Sequence, residues 1–138
     1  MSYEKIISEL KQKKFHPIYF LSGDEPYFID KISEYIEHNV LAEHERDFNQ
    51  TVFYGKDAKV STIIETCKRF PMMSEKQVVI IKEAQHLANN MGEFEDYINN
   101  PQPSTLLVFC YKYKKIDKRK AVGKLIAKNS VFLLSDKI

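Results

Sequence analysis

The residue types that could bind a nucleotide lie together near the start of this 138-residue chain. The stretch PIYFLSGDEPYFID, residues 17–30, has the order of a phosphate-binding loop: an apolar strand, a tight turn that contains glycine, and the start of a helix. Such a loop needs backbone N–H groups that face the phosphates, a Lys that offsets their charge, and a Ser or Thr that binds the metal. The candidate phosphate loop consists of Ser22, Gly23, Asp24, Glu25 and Pro26.

The side chains of this candidate phosphate loop oppose phosphate binding. Asp24 and Glu25 would place two carboxylates where a triphosphate binds, and Pro26 has no backbone N–H to donate. The first lysine that follows, Lys31, lies about two helical turns further along. A structural role explains the same residues, since Asp24 can cap the helix, Glu25 suits its positive end, and Pro26 suits its first turn. The sequence therefore predicts a strand, turn and helix with a degenerate phosphate site.

A second position typical of ATPases is also altered. In P-loop ATPases, the strand after the intervening helix ends in an acidic pair that holds Mg²⁺ and polarises water. The corresponding segment here is QVVIIKEAQHL, residues 77–87, in which Lys82 replaces the leading acid and only Glu83 remains. One Glu beside a Lys does not make a nucleotide-linked magnesium site. We therefore expect a degenerate metal site at Lys82 and Glu83, no catalytic residues and no cofactor.

Short apolar runs alternate with helical patterns along the whole chain. The apolar and β-branched runs predict five strands, at residues 17–21, 50–54, 77–81, 105–110 and 130–134. Apolar residues spaced three or four apart predict helices at residues 3–13, 25–41, 57–70 and 86–99, with a further basic helix within 111–128. Strands that alternate with helices favour a parallel sheet covered on both faces. The predicted fold is α/β, a three-layer αβα sandwich with a five-stranded, mainly parallel sheet of the P-loop NTPase type.

Composition and cysteine use indicate one globular domain with reduced thiols. The chain is 43% hydrophobic, has no apolar run of the roughly eighteen residues that span a membrane, and lacks the apolar segment of a secretory signal. We expect a cytoplasmic protein with no membrane partner. Cys67 and Cys110 are isolated, which fits buried thiols better than a disulfide or a zinc site. The histidines are equally scattered and predict no metal centre: His16, His38, His44 and His86.

Positive charge is concentrated late in the chain. Residues 111–128 carry eight of the 21 Lys and Arg and one of the 19 acids, which gives this segment a net charge of +7. A basic stripe interleaved with tyrosines could follow a phosphate backbone and stack a base, which makes Lys118, Arg119 and Lys120 candidate DNA contacts. The alternative is an amphipathic helix with solvated lysines and four buried apolar residues: Ile116, Val122, Leu125 and Ile126.

Four segments of the chain resemble one protein family. They are PIYFLSGDEPYFID (17–30), RFPMMSEKQVVIIKEA (69–84), NPQPSTLLVF (100–109) and IDKRKAVGKLIAK (116–128). In this order they are similar to the N-terminal domain of the bacterial DNA polymerase III delta subunit, the clamp-loader component that opens the sliding clamp. The resemblance implies an AAA+-like fold that does not hydrolyse ATP, which agrees with the two degenerate positions described above.

The resemblance also implies a domain organisation and a set of partners. Residues 1–138 would be a single AAA+-like domain, without the small lid and the helical collar that family members carry. The expected partners are the sliding clamp, which is the beta subunit, and the other clamp-loader subunits, with DNA also present in the complex. The complex as a whole is a DNA-directed DNA polymerase, a nucleotidyltransferase, whereas this domain is expected to be non-catalytic.

By the same resemblance, an apolar pair before the third strand binds the clamp, and this pair maps onto Met72 and Met73, flanked by Phe70, Pro71 and Ser74. The family pattern there is Leu and Phe; methionine also fills an apolar pocket, but with a less fixed geometry. Independently, two adjacent side chains of an extended segment point to opposite sides, so at least one Met is expected to be exposed. The alternative is that both cover the edge of the sheet.

Two other functions remain open at this point. One is a P-loop-like nucleotide-binding enzyme or nucleotide sensor, against which the missing loop lysine and the replacement at Lys82 both count. The other is a nucleic-acid-binding module that uses the basic segment 111–128. Nucleotide binding and salt-dependent DNA binding separate these two functions from clamp binding.

Overall fold

The computed structural model describes residues 1–136 and contains one five-stranded sheet. The strand order is β2-β3-β4-β1-β5, and each neighbouring pair is parallel. The strands are β1 Ile18–Gly23, β2 Gln50–Tyr54, β3 Gln77–Lys82, β4 Thr105–Lys112 and β5 Val131–Leu134. All five begin and end within two residues of the predicted runs, so the predicted strands are confirmed.

Helices occupy most of the connections between these strands. The α-helices are α1 Tyr3–Lys11, α2 Pro26–Asn39, α3 Glu43–Asn49, α4 Val60–Cys67, α5 Glu95–Asn99 and α6 Ala121–Asn129. The region predicted as one helix at 86–99 is instead a 3-10 helix, Ala84–Phe94, followed by α5. Within residues 1–136, no helix is long and apolar enough to cross a membrane.

Helices pack on both faces of the sheet, which confirms the three-layer αβα architecture. Successive residues of a strand point to opposite faces. In β1, Tyr19 and Leu21 pack with the apolar residues of α1 and α2, whereas Phe20 packs with α4, α6 and the 3-10 helix on the other side. All six residues of β1 are buried. The strand therefore holds the turn that follows it, the candidate phosphate loop, at a fixed place on the carboxyl edge of the sheet.

Helix α3 was not predicted from the sequence. Its residues, EHERDFN, are nearly all polar, so they carry no apolar spacing that would indicate a helix. The helix is stabilised at its start by Glu45, whose carboxylate accepts a hydrogen bond from the Ala42 N–H at 2.9 Å. Its one large apolar residue, Phe48, faces solvent and lies outside both parts of the core.

The predicted basic helix is shorter than expected, because α6 begins only at Ala121. Lys118, Arg119 and Lys120 therefore lie in the loop between β4 and α6, and placing them on a helix was wrong. The reason is local: the Asp117 carboxylate accepts the Arg119 N–H at 2.9 Å, a turn that competes with helical hydrogen bonding. Gly123 then lets the loop pass close to α6, since a Cβ there would lie 2.0 Å from the Asp117 carbonyl oxygen.

Candidate functional site

The candidate phosphate loop is a turn of only two residues. Strand β1 ends at Gly23 and α2 begins at Pro26, which leaves Asp24 and Glu25 between them. The phosphate-binding pattern, by contrast, places about four residues between its two glycines, enough to wrap a phosphate group. The sequence predicted Asp24 as the residue that caps the helix, but the cap is Glu25, whose carboxylate accepts the Tyr27 N–H at 3.0 Å. Pro26 occupies the first turn of α2, as predicted.

Residues after β5 close this turn from the outside. The Glu25 N–H donates to the Ser135 carbonyl oxygen at 2.9 Å, and the Ser135 hydroxyl donates to the Glu25 carbonyl oxygen at 2.8 Å. The Ser135 N–H in turn donates to the Ser22 carbonyl oxygen at 2.6 Å. The Ser22 hydroxyl donates to the Leu133 carbonyl oxygen at 3.0 Å. Donors that a phosphate site would need are thus engaged by the chain itself.

The degenerate metal position lies on the same edge of the sheet, at the end of β3. The Lys82 ammonium group is 3.4 Å from the Glu37 carboxylate of α2, and the Glu83 carboxylate accepts a hydrogen bond from the Gln85 side chain at 2.8 Å. Between the two degenerate positions lies the end of β4, whose Lys112 pairs in register with Gly23. The ends of β2, β3 and β4 and one side of α2 surround a cavity of about 310 Å³, which the candidate phosphate loop does not line.

Ion pairs neutralise much of the charge in this cavity. The Lys112 ammonium group is 2.7 Å from the Asp30 carboxylate, and its side chain is only 18% exposed. Burial by itself lowers the pKa of Lys112, but the hydrogen bond and charge of Asp30 outweigh it and raise that pKa above its usual value. Mg²⁺ binds one or two carboxylates together with water and phosphate oxygens. Here Asp30 and Glu37 instead bind the ammonium groups of Lys112 and Lys82. These two carboxylates are therefore already paired with positive charges of the protein itself.

The methionine pair lies in an irregular segment between α4 and β3, residues 68–76. Met72 is 61% exposed and Met73 is 99% exposed, with Phe70 beside them at 78%. The alternative in which both methionines cover the sheet edge is therefore wrong, and the expectation that at least one is exposed is confirmed. Met73 has a positive φ of 56°, so the backbone turns sharply at the tip of the segment.

One buried side chain, that of Asn49 at the end of α3, holds this tip in place. Its carbonyl oxygen accepts the Met72 N–H at 2.6 Å, and its amide nitrogen donates to the Met72 carbonyl oxygen at 2.8 Å. The same nitrogen also donates to the Glu45 carbonyl oxygen at 3.1 Å. Nearby hydrogen-bond donors, the Ser74 hydroxyl and the Ala42 N–H, hold the pKa of the Glu45 carboxyl below its usual range.

The tip and α3 together form an apolar hollow of about 320 Å³, lined by His44, Glu45, Phe48, Asn49, Met72 and Met73. Phe48 is 71% exposed at its rim. Neither Phe48 nor Asn49 was predicted as a site residue. The sequence did contain one signal for Phe48: it is a large aromatic residue in an otherwise polar run. Such a residue has no apolar neighbours in the run with which it could be buried.

The basic residues after β4 are exposed, but two of the three are engaged within the chain. The Lys118 ammonium group lies 4.6 Å from the centre of the Phe132 ring. The Arg119 guanidinium binds both carboxylate oxygens of Asp117, at 3.1 and 3.2 Å, and its hydrogen bond holds the pKa of that carboxyl below its usual range. Lys120 is exposed at the start of α6. The loop is therefore a basic surface with built-in counterions, Asp117 for Arg119 and Asp136 for Lys115.

Comparison with known families decides the identity of the fold. The sequence model of the family described as "DNA polymerase III, delta subunit" matches residues 19–134. This chain belongs to the DNA polymerase III delta subunit family. The matched range includes the candidate phosphate loop, the methionine tip, α3 and the basic loop, so all the candidate sites lie within the family's homologous region.

Individual relatives agree with this delta-subunit assignment. The DNA polymerase III subunit delta of Bacillus subtilis (strain 168) is 29% identical over 133 residues, which cover 90% of this chain and 38% of the relative. The solved Bacillus subtilis DNA clamp loader delta protein superposes with a TM-score of 0.88 at 26% identity over 99% of this chain and 43% of that one. This chain thus spans about two fifths of the length of these relatives.

A second solved structure shows that the fold extends beyond the delta-subunit family. It is a DNA polymerase III gamma subunit-related protein from Thermotoga maritima, with a TM-score of 0.58 and 11% identity over 99% of this chain and 47% of that one. At this identity the match shows the fold alone. The chain has an AAA+-like α/β fold that resembles both solved structures, as predicted.

Proposed function

We propose that this chain is the clamp-binding domain of a replicative clamp loader and that it docks on the sliding clamp through Met72 and Met73. The observation that carries the proposal is the exposure of both side chains on a short tip whose backbone at Met72 is bound by Asn49. Family membership supports it, and a similar solved protein carries the name clamp loader delta protein. Phe70, Pro71 and Ser74 form the flanks of this docking element.

Clamp opening follows from binding alone under this proposal. A ligand shifts an equilibrium by the difference between its affinities for the two states, so a domain that binds the open clamp more tightly favours opening. Burial of two methionine side chains in an apolar pocket contributes about 3–5 kcal/mol before ordering costs. Because the tip is short and anchored, little further ordering is needed when it binds.

The same proposal makes the domain non-catalytic. The two-residue turn, the engaged Glu25 N–H and the ion pairs of Lys82 and Lys112 support an inactive nucleotide site. Polymerisation, the nucleotidyltransferase activity of the whole complex, then belongs to other subunits. The chain spans about two fifths of the length of its relatives. Under this proposal, the domain acts in the cytoplasm together with the lid and collar of the family, the other clamp-loader subunits and DNA.

Surface plasmon resonance with the immobilised clamp of the same organism tests the proposal. The double variant Met72→Ala/Met73→Ala should bind about a hundredfold more weakly, about 2.7 kcal/mol, because it loses the main apolar anchor. Its thermal midpoint should stay within a few degrees of the wild type, since exposed side chains contribute little to stability. Tyr27→Ala is the matched control, because it removes a similarly exposed apolar side chain, 55% exposed, from α2.

Two outcomes would contradict the proposal. If the double variant binds the clamp as tightly as the wild type does, the pair has no binding role. If it unfolds while Tyr27→Ala remains folded, the pair is structural.

The second candidate function is nucleic-acid binding by the basic loop. The observation that favours it is the exposure of Lys118, Arg119 and Lys120 on one loop, which also carries the exposed Tyr113. The ion pair between Arg119 and Asp117 counts against it, because that guanidinium already has a carboxylate partner.

A further inference from the structure

We propose that α3 is the second half of the clamp-docking surface, in which Phe48 contacts the clamp and Asn49 is the positioning residue that fixes Met72. This inference rests on the proposed function, because it assigns the clamp as the partner that covers α3. It adds two residues that lie more than twenty positions before the methionine pair in the chain.

Asn49 has the features of a residue whose task is to hold the tip. Its side chain is 2% exposed and binds both backbone groups of Met72, which otherwise belongs to an irregular segment. A buried amide with this pairing replaces the neighbouring strand that would normally satisfy such groups. Loss of the side chain would leave the Met72 N–H and carbonyl without these partners, so residues 68–76 would sample more conformations in the free protein. The clamp would then have to order the tip on binding.

Phe48 has the features of a contact residue. Adjacent residues of a helix point about 100° apart, so α3 turns Asn49 inward and Phe48 outward. Phe48 is 71% exposed and packs with neither part of the core, although an aromatic ring of this size is normally buried. It lines the same 320 Å³ hollow as Met72 and Met73. The three side chains form one continuous apolar surface, so Phe48 extends the surface that the methionine pair presents to the apolar pocket of the clamp.

Single variants measured on the immobilised clamp test the two roles. Phe48→Ala should weaken binding about tenfold, chiefly by faster dissociation, and Phe48→Leu should restore most of the loss. Asn49→Ala should also weaken binding about tenfold, chiefly by slower association, because fewer free molecules have the tip in place. Asn49→Asp keeps the acceptor for the Met72 N–H but loses the donor, so its effect should be intermediate. Asn39→Ala, which removes a side chain that bonds the backbone within α2, is the matched control.

A double-mutant cycle separates positioning from a general structural effect. If Asn49 acts through the tip, Asn49→Ala should cost almost no further affinity in the Met72→Ala/Met73→Ala background. An equal loss in both backgrounds would overturn the positioning role. Phe48→Ala leaves the core intact, so it tests the surface even if Asn49→Ala fails to fold. The contact role would be overturned if Phe48→Ala bound the clamp with the affinity of the wild type. It would equally be overturned if the wild-type protein self-associated and Phe48→Ala abolished that self-association while clamp binding stayed intact.

The failure of this inference can be told apart from the failure of the proposed function. If the methionine double variant loses affinity while Phe48→Ala and Asn49→Ala bind normally, α3 lies outside the interface and only the inference fails. If the methionine double variant keeps full affinity, the proposed function fails, and the inference fails with it.

Discussion

The carbonyl oxygen of Ser135 lies against Gly23, so closely that a Cβ on Gly23 would be 2.1 Å from it. Gly23 also has a φ of +122°, which L side chains rarely adopt. The close approach of the chain's own backbone therefore requires glycine at this position, without any contribution from a bound phosphate. This relationship joins the first and last strands of the chain at the edge where a nucleotide would bind in an active relative.

Replacement of Gly23 by Ala should destabilise the fold by about 2–4 kcal/mol, because it adds backbone strain and a clash with Ser135. Urea unfolding followed by circular dichroism measures the change. Gly92→Ala is the control, since a Cβ there would meet no atom within 4 Å and its stability should be unchanged or slightly higher. Equal stability of both variants would contradict the closed-turn geometry.

Mg-ATP should not bind to the protein at millimolar concentration. The carboxylates of Asp24 and Glu25 would face the phosphates, and the Glu25 N–H already donates to Ser135. Isothermal titration calorimetry should give no heat beyond that of nucleotide diluted into buffer. A micromolar dissociation constant that is lost on mutation within residues 22–27 would show that the turn opens and binds phosphate after all.

Charge reversal of Lys118, Arg119 and Lys120 to Glu should leave clamp binding almost unchanged, because the loop lies apart from the methionine tip along the chain and takes no part in its hollow. Any weak DNA binding should decrease, together with the slope of its affinity against salt concentration. Surface plasmon resonance and fluorescence anisotropy at several salt concentrations measure the two effects. A large loss of clamp affinity in a variant that remains folded would place the interface on the basic face.

The free energy of unfolding should fall as the pH rises above about 9. Burial raises the pKa of Cys67 to about 12 and that of Cys110 to about 11, from an ordinary value of 9.0. Burial also raises the pKa of Tyr19 to about 12. The native protein therefore keeps protons that the unfolded chain releases, and the stabilisation present below pH 9 is lost progressively toward pH 12.

Urea unfolding at a series of pH values between about 8 and 10.5 measures this loss. In the Cys67→Ala/Cys110→Ala variant, the slope of the unfolding free energy against pH should be shallower. The difference should correspond to the release of at most about two protons on unfolding. A stability that stays constant across this range would show that the two thiols ionise as readily in the native protein as in the unfolded chain.

The strands, the layers and the altered nucleotide motif could be predicted from the sequence alone. Runs such as QVVII before Lys82 are buried on both faces, and such burial leaves a continuous apolar pattern within a few residues. The GDEP turn could also be recognised locally, because its short length and its two carboxylates belong to consecutive residues and do not depend on contacts with distant parts of the chain. The exposure of at least one methionine followed from the alternation of side chains in an extended segment.

The parts that only the tertiary structure decided depend on partners far apart in the chain. Asn49 binds Met72 across 23 positions, and Ser135 binds Glu25 across 110, so no local pattern marks either pair. Helix α3 lacks apolar spacing because its buried contribution is one amide and not a hydrophobic stripe. Likewise, Lys82 could be seen to replace an acid, but its pairing with Glu37 requires the packing of α2 against the end of β3. Hydrophobic periodicity is local, whereas the pairing of polar groups is settled only when the folded backbone brings them together.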